Sequence, residues 1–432
     1  MTQPLADRPV AAPWPPPRAV ERTVARPPMA LGDLVYAALA VLMILIFSQG
    51  WQYPLTGDAK AEDSMILRVG VFPAYGAAMA MFAMGAWHGI KATIRQPFLI
   101  LLIGVVCAST FWSIAPDQTA RRAFAIVFTT LAGVMLGARY RWAQLAEIVA
   151  ISYAVLAVCS LLISIAVPRI GVMQEIFPGA WRGLWAEKNV LGGIMALGFS
   201  LFVAAGILNP RRWPVWCGFA ALALFLVLMS QSKTSLVSLL LGSMAMGFVF
   251  VVQRGRAIGV ASVWLAVTAC GLLGAFVFFA SDVFFNLLGK DATFTGRTEI
   301  WAGIMRQIER RPWTGYGYAA VWSDHSGRGP FAWIVKEAGF TPQHAHNSWL
   351  EQWLGMGIIG LAAWGLFYLQ TLATAIVAVF RSPGGYLTFP FLLMFTLISL
   401  TESIALTYND FRWVLLVAFA VKLAYPDREL ER

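Results

Sequence analysis

The sequence predicts an all-α, polytopic integral membrane protein, and three observations carry that expectation. Of its 432 residues, 59% are hydrophobic and 12% are charged, with a mean hydropathy of +0.68. Ordinary soluble domains carry roughly twice that charge. Apolar runs of about 18 to 22 residues recur, the length that crosses a hydrocarbon layer of ~30 Å. The 18 Trp suit the aromatic belts found at membrane interfaces.

Residues 1–29 hold Pro4, Pro9, Pro13, Pro15, Pro16, Pro17, Pro27 and Pro28 among Arg8, Arg18, Arg22 and Arg26. That composition cannot bury a core and reads as a disordered, basic, cytoplasmic tail. No small-residue cleavage site precedes the first span, so no removable signal peptide is expected. A transmembrane domain is expected over 30–425, followed by a cytoplasmic tail at 426–432. Spans are predicted near 31–50, 69–90, 98–115, 123–138, 145–167, 189–208, 213–230, 234–252, 258–280, 347–380, 386–407 and 411–425. The tenth is long enough to be tilted, kinked or partly outside the membrane.

Charge fixes the orientation. Counted from an inside N-terminus, alternate loops carry Lys91 and Arg95, Arg139 and Arg141, Arg211 and Arg212, Arg254 and Arg256, and then Arg381. That rhythm is the positive-inside signature and supports about twelve spans with both ends cytoplasmic. The net charge of +10 is therefore spread over short loops, which argues against a nucleic-acid partner. Cys107, Cys159, Cys217 and Cys270 lie far apart inside predicted spans, and buried free thiols are expected.

The external loops are then 51–68, 116–122, 168–188, 231–233, 281–346 and 408–410. They hold Arg121, Arg122, Arg182, Lys188, Lys233 and Arg297, on the side where cations are disfavoured, and an anionic ligand is the simplest reason. Lys188 and Asn189 open a span, where helix N–H groups favour phosphate, and Arg182 adds a bidentate donor fork. Snorkelling at the interface is the other reading of that pair. Lys233, between Ser232 and Thr234, also fits a solvated polar turn.

The large loop 281–346 is the one long polar insertion and holds three of the four His. Ile300, Trp301, Ile304, Met305 and Ile308 recur at helical spacing, with Arg297, Glu299, Arg306, Glu309 and Arg310 on other faces. An amphipathic helix is expected there, stopped by Pro312, with Gly315 and Gly317 allowing a tight turn. His344 and His346 precede the tenth span. An imidazole at a helix N-terminus stays neutral and can take a proton, whereas the structural alternative is an interfacial His followed by Asn347 as N-cap. Glu351, one turn on, could orient a His or sit at the interface, and Gly355, Gly357 and Gly360 suit helix–helix packing. No Asp-x-Asp pair occurs in an external loop, and neither zinc spacing nor a P-loop or dinucleotide motif appears. Metal, ATP and NAD chemistry have no visible seat, and no cofactor is expected.

Taken together, Thr295-Gly296-Arg297-Thr298-Glu299-Ile300-Trp301, the Arg-Pro-Trp-Thr-Gly-Tyr-Gly at 311–317 and His346-Asn347 with Gly357-x-x-Gly360 resemble the O-antigen ligase and Wzy-type polymerase superfamily. Within it the chain looks most like exopolysaccharide-production polymerases. Trp112-Ser113 with Pro116 and Arg121-Arg122, and Arg182-Gly183-Leu184 with Lys188-Asn189, extend the resemblance over roughly residues 95 to 405. Arg182 with Gly193 and Arg306 with Gly317 also repeat the family's spaced Arg–Gly pairs, while Ala186-Glu187 stands where many relatives have a His before the Lys.

The resemblance implies a GT-C-like fold in the bacterial inner membrane, with the active site facing the periplasm. It implies an inverting, metal-independent glycosyltransferase that moves a glycan from an undecaprenyl diphosphate carrier onto an acceptor hydroxyl. His346 matches the expected base; Arg182 and Arg297 match the diphosphate-holding arginines, with Lys188, Arg121 and Arg122 as additions. His344, Asn347, Lys233, Arg306 and Glu351 are supporting candidates. The expected reaction is polymerisation of a surface polysaccharide, with the growing chain as acceptor, membrane lipid around it and a chain-length regulator as a possible partner. Alternatives are the ligase reaction onto lipid A–core and, from another class, a transporter or flippase of lipid-linked sugars. The flippase would need charges buried mid-span, and no internal repeat supports one.

Overall fold

The computed structural model describes residues 31–57, 65–175, 177–255, 257–266, 268, 297–324 and 326–427. The expectations for the tail 1–29, for Cys270, for 281–296 of the large loop, for 269–280 of the ninth span and for 428–432 lie outside the described residues.

Helices stand at each predicted span. The first eight are Leu31–Phe47 (α1), Phe72–Ile94 (α2), Pro97–Ala108 (α3), Pro116–Arg139 (α4), Trp142–Ala166 (α5), Lys188–Leu208 (α6), Trp213–Met229 (α7) and Lys233–Val252 (α8). Ala257–Ala266 (α9) follows. The large loop contributes Arg297–Arg310 (α10) and Pro330–Ala338 (α11), ahead of Ser348–Arg381 (α12), Gly385–Thr401 (α13) and Phe411–Ala424 (α14). Among the described residues, seven helices are long and apolar enough to cross a membrane by length and composition, so the chain is a multi-pass helical membrane protein. α1, α3, α9 and α13 are apolar but shorter.

α14 sits at the centre of the bundle, with every residue from Trp413 to Lys422 buried. Its closest neighbour is α4, where Gly133 and Gly137 let the backbones meet. A Cβ at Gly137 would stand 2.4 Å from the carbonyl oxygen of Ala418, so small residues bring these helices together as they do in other membrane bundles. Arg139 at the end of α4 faces Asp33 at the start of α1 across 3.5 Å, and Arg95 donates to the Ala424 carbonyl at 3.2 Å. Arg95 and Arg139, two of the basic residues read as cytoplasmic, thus lie at one end of the bundle. Cys107, Cys159 and Cys217 are free thiols as expected, but they are exposed on the outer faces of their helices rather than buried. Apolar positions on a membrane helix need not face its core, and the sequence does not mark which side they take.

At the other end, the large loop packs as a small layer of its own. Ile300, Ile304 and Ile308 of α10 bury against Phe331 and Ile334 of α11 and Leu354 of α12. The residues after Pro312 then cross α12, which is kinked at Gly357 (φ 65°). Ile358 donates to the Pro312 carbonyl at 2.8 Å, and Gly317 donates to the Gly355 carbonyl at 2.7 Å. Gly355 and Gly357 therefore make room for this crossing turn, not for another helix as the sequence suggested. The turn is seated from below: Trp112 Nε1 donates to the Thr314 carbonyl at 2.7 Å, and Ile114 to the Tyr316 carbonyl at 3.0 Å.

A Cβ at Gly357 would lie 2.2 Å from the Trp313 carbonyl carbon, on a backbone that L residues avoid. Gly357→Ala should therefore destabilise the fold by about 2 kcal/mol or more. Gly365→Ala, on the same helix with nothing within 4 Å, should be neutral or stabilising. Thermal unfolding of the two variants in one detergent makes the comparison.

Candidate active site

The site forms where the first turn of α12 meets two loops. Asn347 is the N-cap, its side chain accepting from Trp349 N at 2.9 Å and Leu350 N at 3.2 Å. Ser348 accepts from Ile404 N and Ala405 N at 2.9 and 3.0 Å and donates to the Glu402 carbonyl at 2.8 Å. Gln352 donates to the Ala405 carbonyl at 3.1 Å. Glu351 accepts from Ala345 N at 3.0 Å, from Ser403 Oγ at 3.1 Å and from Trp322 Nε1. Glu351 is thus a clamp between loops and makes no hydrogen bond to a His ring.

That clamp presents His346 on a left-handed backbone (φ 50°), a strained conformation for a non-glycine residue. Its Nδ1 lies 3.0 Å from Glu402 Oε2, while Arg297 Nη2 lies 3.0 Å from Glu402 Oε1. One carboxylate thus joins the candidate base to the candidate arginine, with side chains only 23–27% exposed. Facing a carboxylate, Nδ1 is the ring nitrogen set to donate, and Nε2 lies outside that contact. Burial alone would raise Glu402, but the hydrogen bond and charge of His346, with His344 and Arg297, hold it below the usual carboxylate value. His344 packs at a tilt against His346, with ring centroids 4.0 Å apart, and its Nδ1 accepts from His346 N, 3.2 Å away. Burial first, and then the His346 charge, press His344 down to about 4, so it is neutral at ordinary pH.

Glu402 is the residue that sequence reasoning missed. The expected span 386–407 swallowed it, whereas α13 ends at Thr401. A carboxylate inside an expected span was itself the available signal.

The other expected cations are engaged elsewhere. Arg182 donates from Nε to the Ile170 carbonyl at 2.7 Å and from Nη2 to the Arg169 carbonyl at 2.9 Å, with its guanidinium 4.5 Å over Tyr53. Lys188 does open α6, but its ammonium lies 3.6 Å over the Phe177 ring. Arg122 donates to the Ala319 carbonyl and to Ser323 Oγ, tying α4 to the crossing turn. Arg121 is exposed on α4, Lys233 begins α8, and Arg306 pairs with Glu337 at 2.7 Å. Among the described residues, Arg297 is the expected cation that joins the His346 centre directly through a carboxylate.

His344, His346 and Glu402 bring three potential metal ligands within 4.8 Å of one another. Glu402 already spends one oxygen on a guanidinium and the other on a ring N–H. A divalent ion there would have to displace both and sit against a fixed cation, so the donor set suits a proton-handling group better than a metal.

A multi-pass membrane protein with a His–carboxylate–Arg centre at one end of its bundle is the class that fold and site define. Residues 218–365 match the family model described as O-antigen ligase. The chain is 32% identical over 194 residues to the exopolysaccharide production protein ExoQ of Rhizobium meliloti, across 41% of this chain and 43% of that protein. It is also 32% identical over 193 residues to an O-antigen ligase of Pseudomonas aeruginosa, across 44% of this chain and 37% of the relative. The matched stretch thus spans less than half the length of each of these curated relatives. The resemblance to the O-antigen ligase and polymerase superfamily is borne out. Arg297 and His346 fall inside the matched 218–365, whereas Arg121, Arg122, Arg182 and Lys188 precede it.

Glu402→Gln keeps the shape but removes the charge that Arg297 and His346 share, and should destabilise the fold, read as a lower unfolding temperature than wild type in one detergent. The His344 shift also predicts a pH window. Its folded value, about 4, lies below the ordinary 6.5, so the unfolded chain takes up the proton first. Stability is full above that ordinary value and falls until pH reaches the folded one. Glu402 is also depressed, so its contribution persists above the ordinary carboxylate value and is lost only at lower pH. His344→Gln should flatten the unfolding temperature between about pH 6.5 and 5.

Proposed function

We propose that the chain is an inner-membrane polysaccharide polymerase with about twelve spans and its site on the periplasmic side. It would transfer a glycan from an undecaprenyl diphosphate carrier to an acceptor sugar hydroxyl, with inversion and without a metal. The observation that carries this reading is Glu402 holding His346 and Arg297 together. Similarity to ExoQ supports the choice of polymer extension.

In the proposed step the acceptor hydroxyl gives its proton to His346 Nε2 as its oxygen bonds to the anomeric carbon. The anomeric carbon–oxygen bond breaks on the opposite face, and the diphosphate leaves with the electron pair. Arg297 would meet that developing charge, and the carboxylate of Glu402 the imidazolium. Arg182 and Lys188, at the same end of the bundle, would reach the lipid diphosphate by giving up their present aromatic and carbonyl contacts.

The ligase reading, with lipid A–core as acceptor, is supported by the family match and by the Pseudomonas aeruginosa relative. It uses the same base and leaving group.

Purified protein supplied with undecaprenyl diphosphate-linked repeat units should lengthen chains equally with and without EDTA. His346→Ala and Arg297→Ala should each lose about 10²–10⁴-fold in rate. Transfer to lipid A–core alone would replace the polymerase with the ligase, and the absence of any glycosidic product would remove both.

A further inference from the structure

A chamber of about 430 Å³ opens beside Glu402 and His344, within the roughly 300–1,000 Å³ common for ligand sites. Its walls come from the segment after α1, the start of α6, the end of α13, the loop ahead of α14 and the residues before His344. Two of its side-chain amides hold the wall together: Gln49 Nε2 donates to the Asn409 carbonyl at 3.0 Å, and Asn409 Oδ1 accepts from Tyr75 at 2.6 Å. Gln49 and Asn409 both adopt left-handed backbones (φ 57° each). Three other lining amides, Gln52, Asn189 and Gln343, make no side-chain hydrogen bond to the protein among the described residues. Each offers two N–H donors and a carbonyl acceptor.

The charges on the wall decide what those amides are for. Glu187, Glu402 and Asp410 line the chamber against Arg68 and Arg412. Arg412 is held by Asp410, with Nε 3.0 Å from each carboxylate oxygen and Nη2 bonded as well. Arg412 is held by Asp410, and Glu402 is itself held by Arg297 and His346, so the wall brings no cluster of cations to bear on a diphosphate. An uncharged polyhydroxyl ligand needs no such cluster. Its hydroxyls match the amides and carboxylates, and its C–H faces match Tyr53 and Trp185 in the same wall.

We propose that this chamber is a sugar subsite, in which Gln52, Asn189 and Gln343 read the hydroxyls of an uncharged pyranose unit next to the reacting bond. The proposal rests on the glycosyl-transfer reading above. The unit could come from the acceptor end or from the first sugar of the donor; the chemistry is the same, and the kinetics separate them.

The test uses full-length protein in lipid nanodiscs and, as probe, the free repeat-unit oligosaccharide released by mild acid from the producing strain's polysaccharide. Saturation-transfer NMR should show the oligosaccharide binding to wild type and to His346→Ala. Binding should weaken by roughly five- to tenfold for each amide removed in Gln52→Ala and Asn189→Ala, since a lost hydrogen bond of typical strength costs about that factor. Inorganic diphosphate should not compete. Undiminished binding in both variants, or displacement by diphosphate, overturns the subsite. If either variant fails to fold, as judged by its melting temperature, Gln343→Ala in the exposed loop is read in its place. In turnover, a raised KM for the acceptor alone assigns the subsite to the acceptor, and a raised KM for the donor alone assigns it to the donor; both KM values unchanged overturns the subsite. Sugar binding that survives while wild type makes no glycosidic product would fail the transferase reading and leave the subsite standing.

Discussion

The carboxylate of Glu402 is the point on which the polar end of this bundle turns. Its two oxygens face a guanidinium and an imidazole, each at 3.0 Å, and its own carbonyl is gripped by Ser348. A bundle that is mostly apolar can keep such charges only where every partner is supplied, because an unmatched buried ion costs several kcal/mol. The first turn of α12 supplies the partners by using its free N–H groups for Asn347 and its side chains for the 402–405 backbone. Helix start, loop and charge cluster are therefore one structure, and loosening any of them would release the others.

The same constraint explains the glycine-rich kink. For α10 to deliver Arg297 to Glu402, the chain after Pro312 must return across α12 at close range. A regular helix offers no open carbonyls or N–H groups to such a crossing strand. Gly357 breaks the ladder, and Ile358 and Gly355 then bond the turn directly. Trp112 and Arg122 complete the seat from the other side. Several of the sequence features that carry the family resemblance are thus architectural: they place the arginine and the histidine without touching either.

How far the sequence could be read follows from this division. Helix positions were legible because hydrophobic length and alternating basic loops obey simple rules, and α12 was expected to be long enough to kink. The Asn347 cap and the amphipathic α10 were legible as local chemistry, whereas the roles of His346 and Arg297 came with the family resemblance and their joining through Glu402 was not foreseen. Glu402 was not, since a hydrophobic stretch with one terminal acid reads as a single span until the helix is seen to stop at Thr401. Arg182 and Arg122 carry partners that the sequence did not show. A cation on the disfavoured side signals a need for anionic or carbonyl partners, and here backbone carbonyls meet much of that need. The faces of Cys107, Cys159 and Cys217 were misjudged because an apolar span is compatible with either lipid or core on any side.

Under the transferase reading, the shared carboxylate also has a chemical consequence. In the resting site the negative charge of Glu402 stands against Arg297 on one oxygen and the His346 ring on the other. During transfer, positive charge appears on the imidazole and negative charge on the departing diphosphate, on opposite sides of one carboxylate. Glu402 then answers the first and Arg297 the second, each from its resting position. Dipoles and charges already in place need not reorganise as the transition state forms, and this accounts for most of what a polar site can contribute without a metal. A histidine or an arginine placed alone at the same bundle end would have to recruit its counter-charge from solvent. The three-residue arrangement, and not any one of its members, makes the chemistry plausible at a membrane surface.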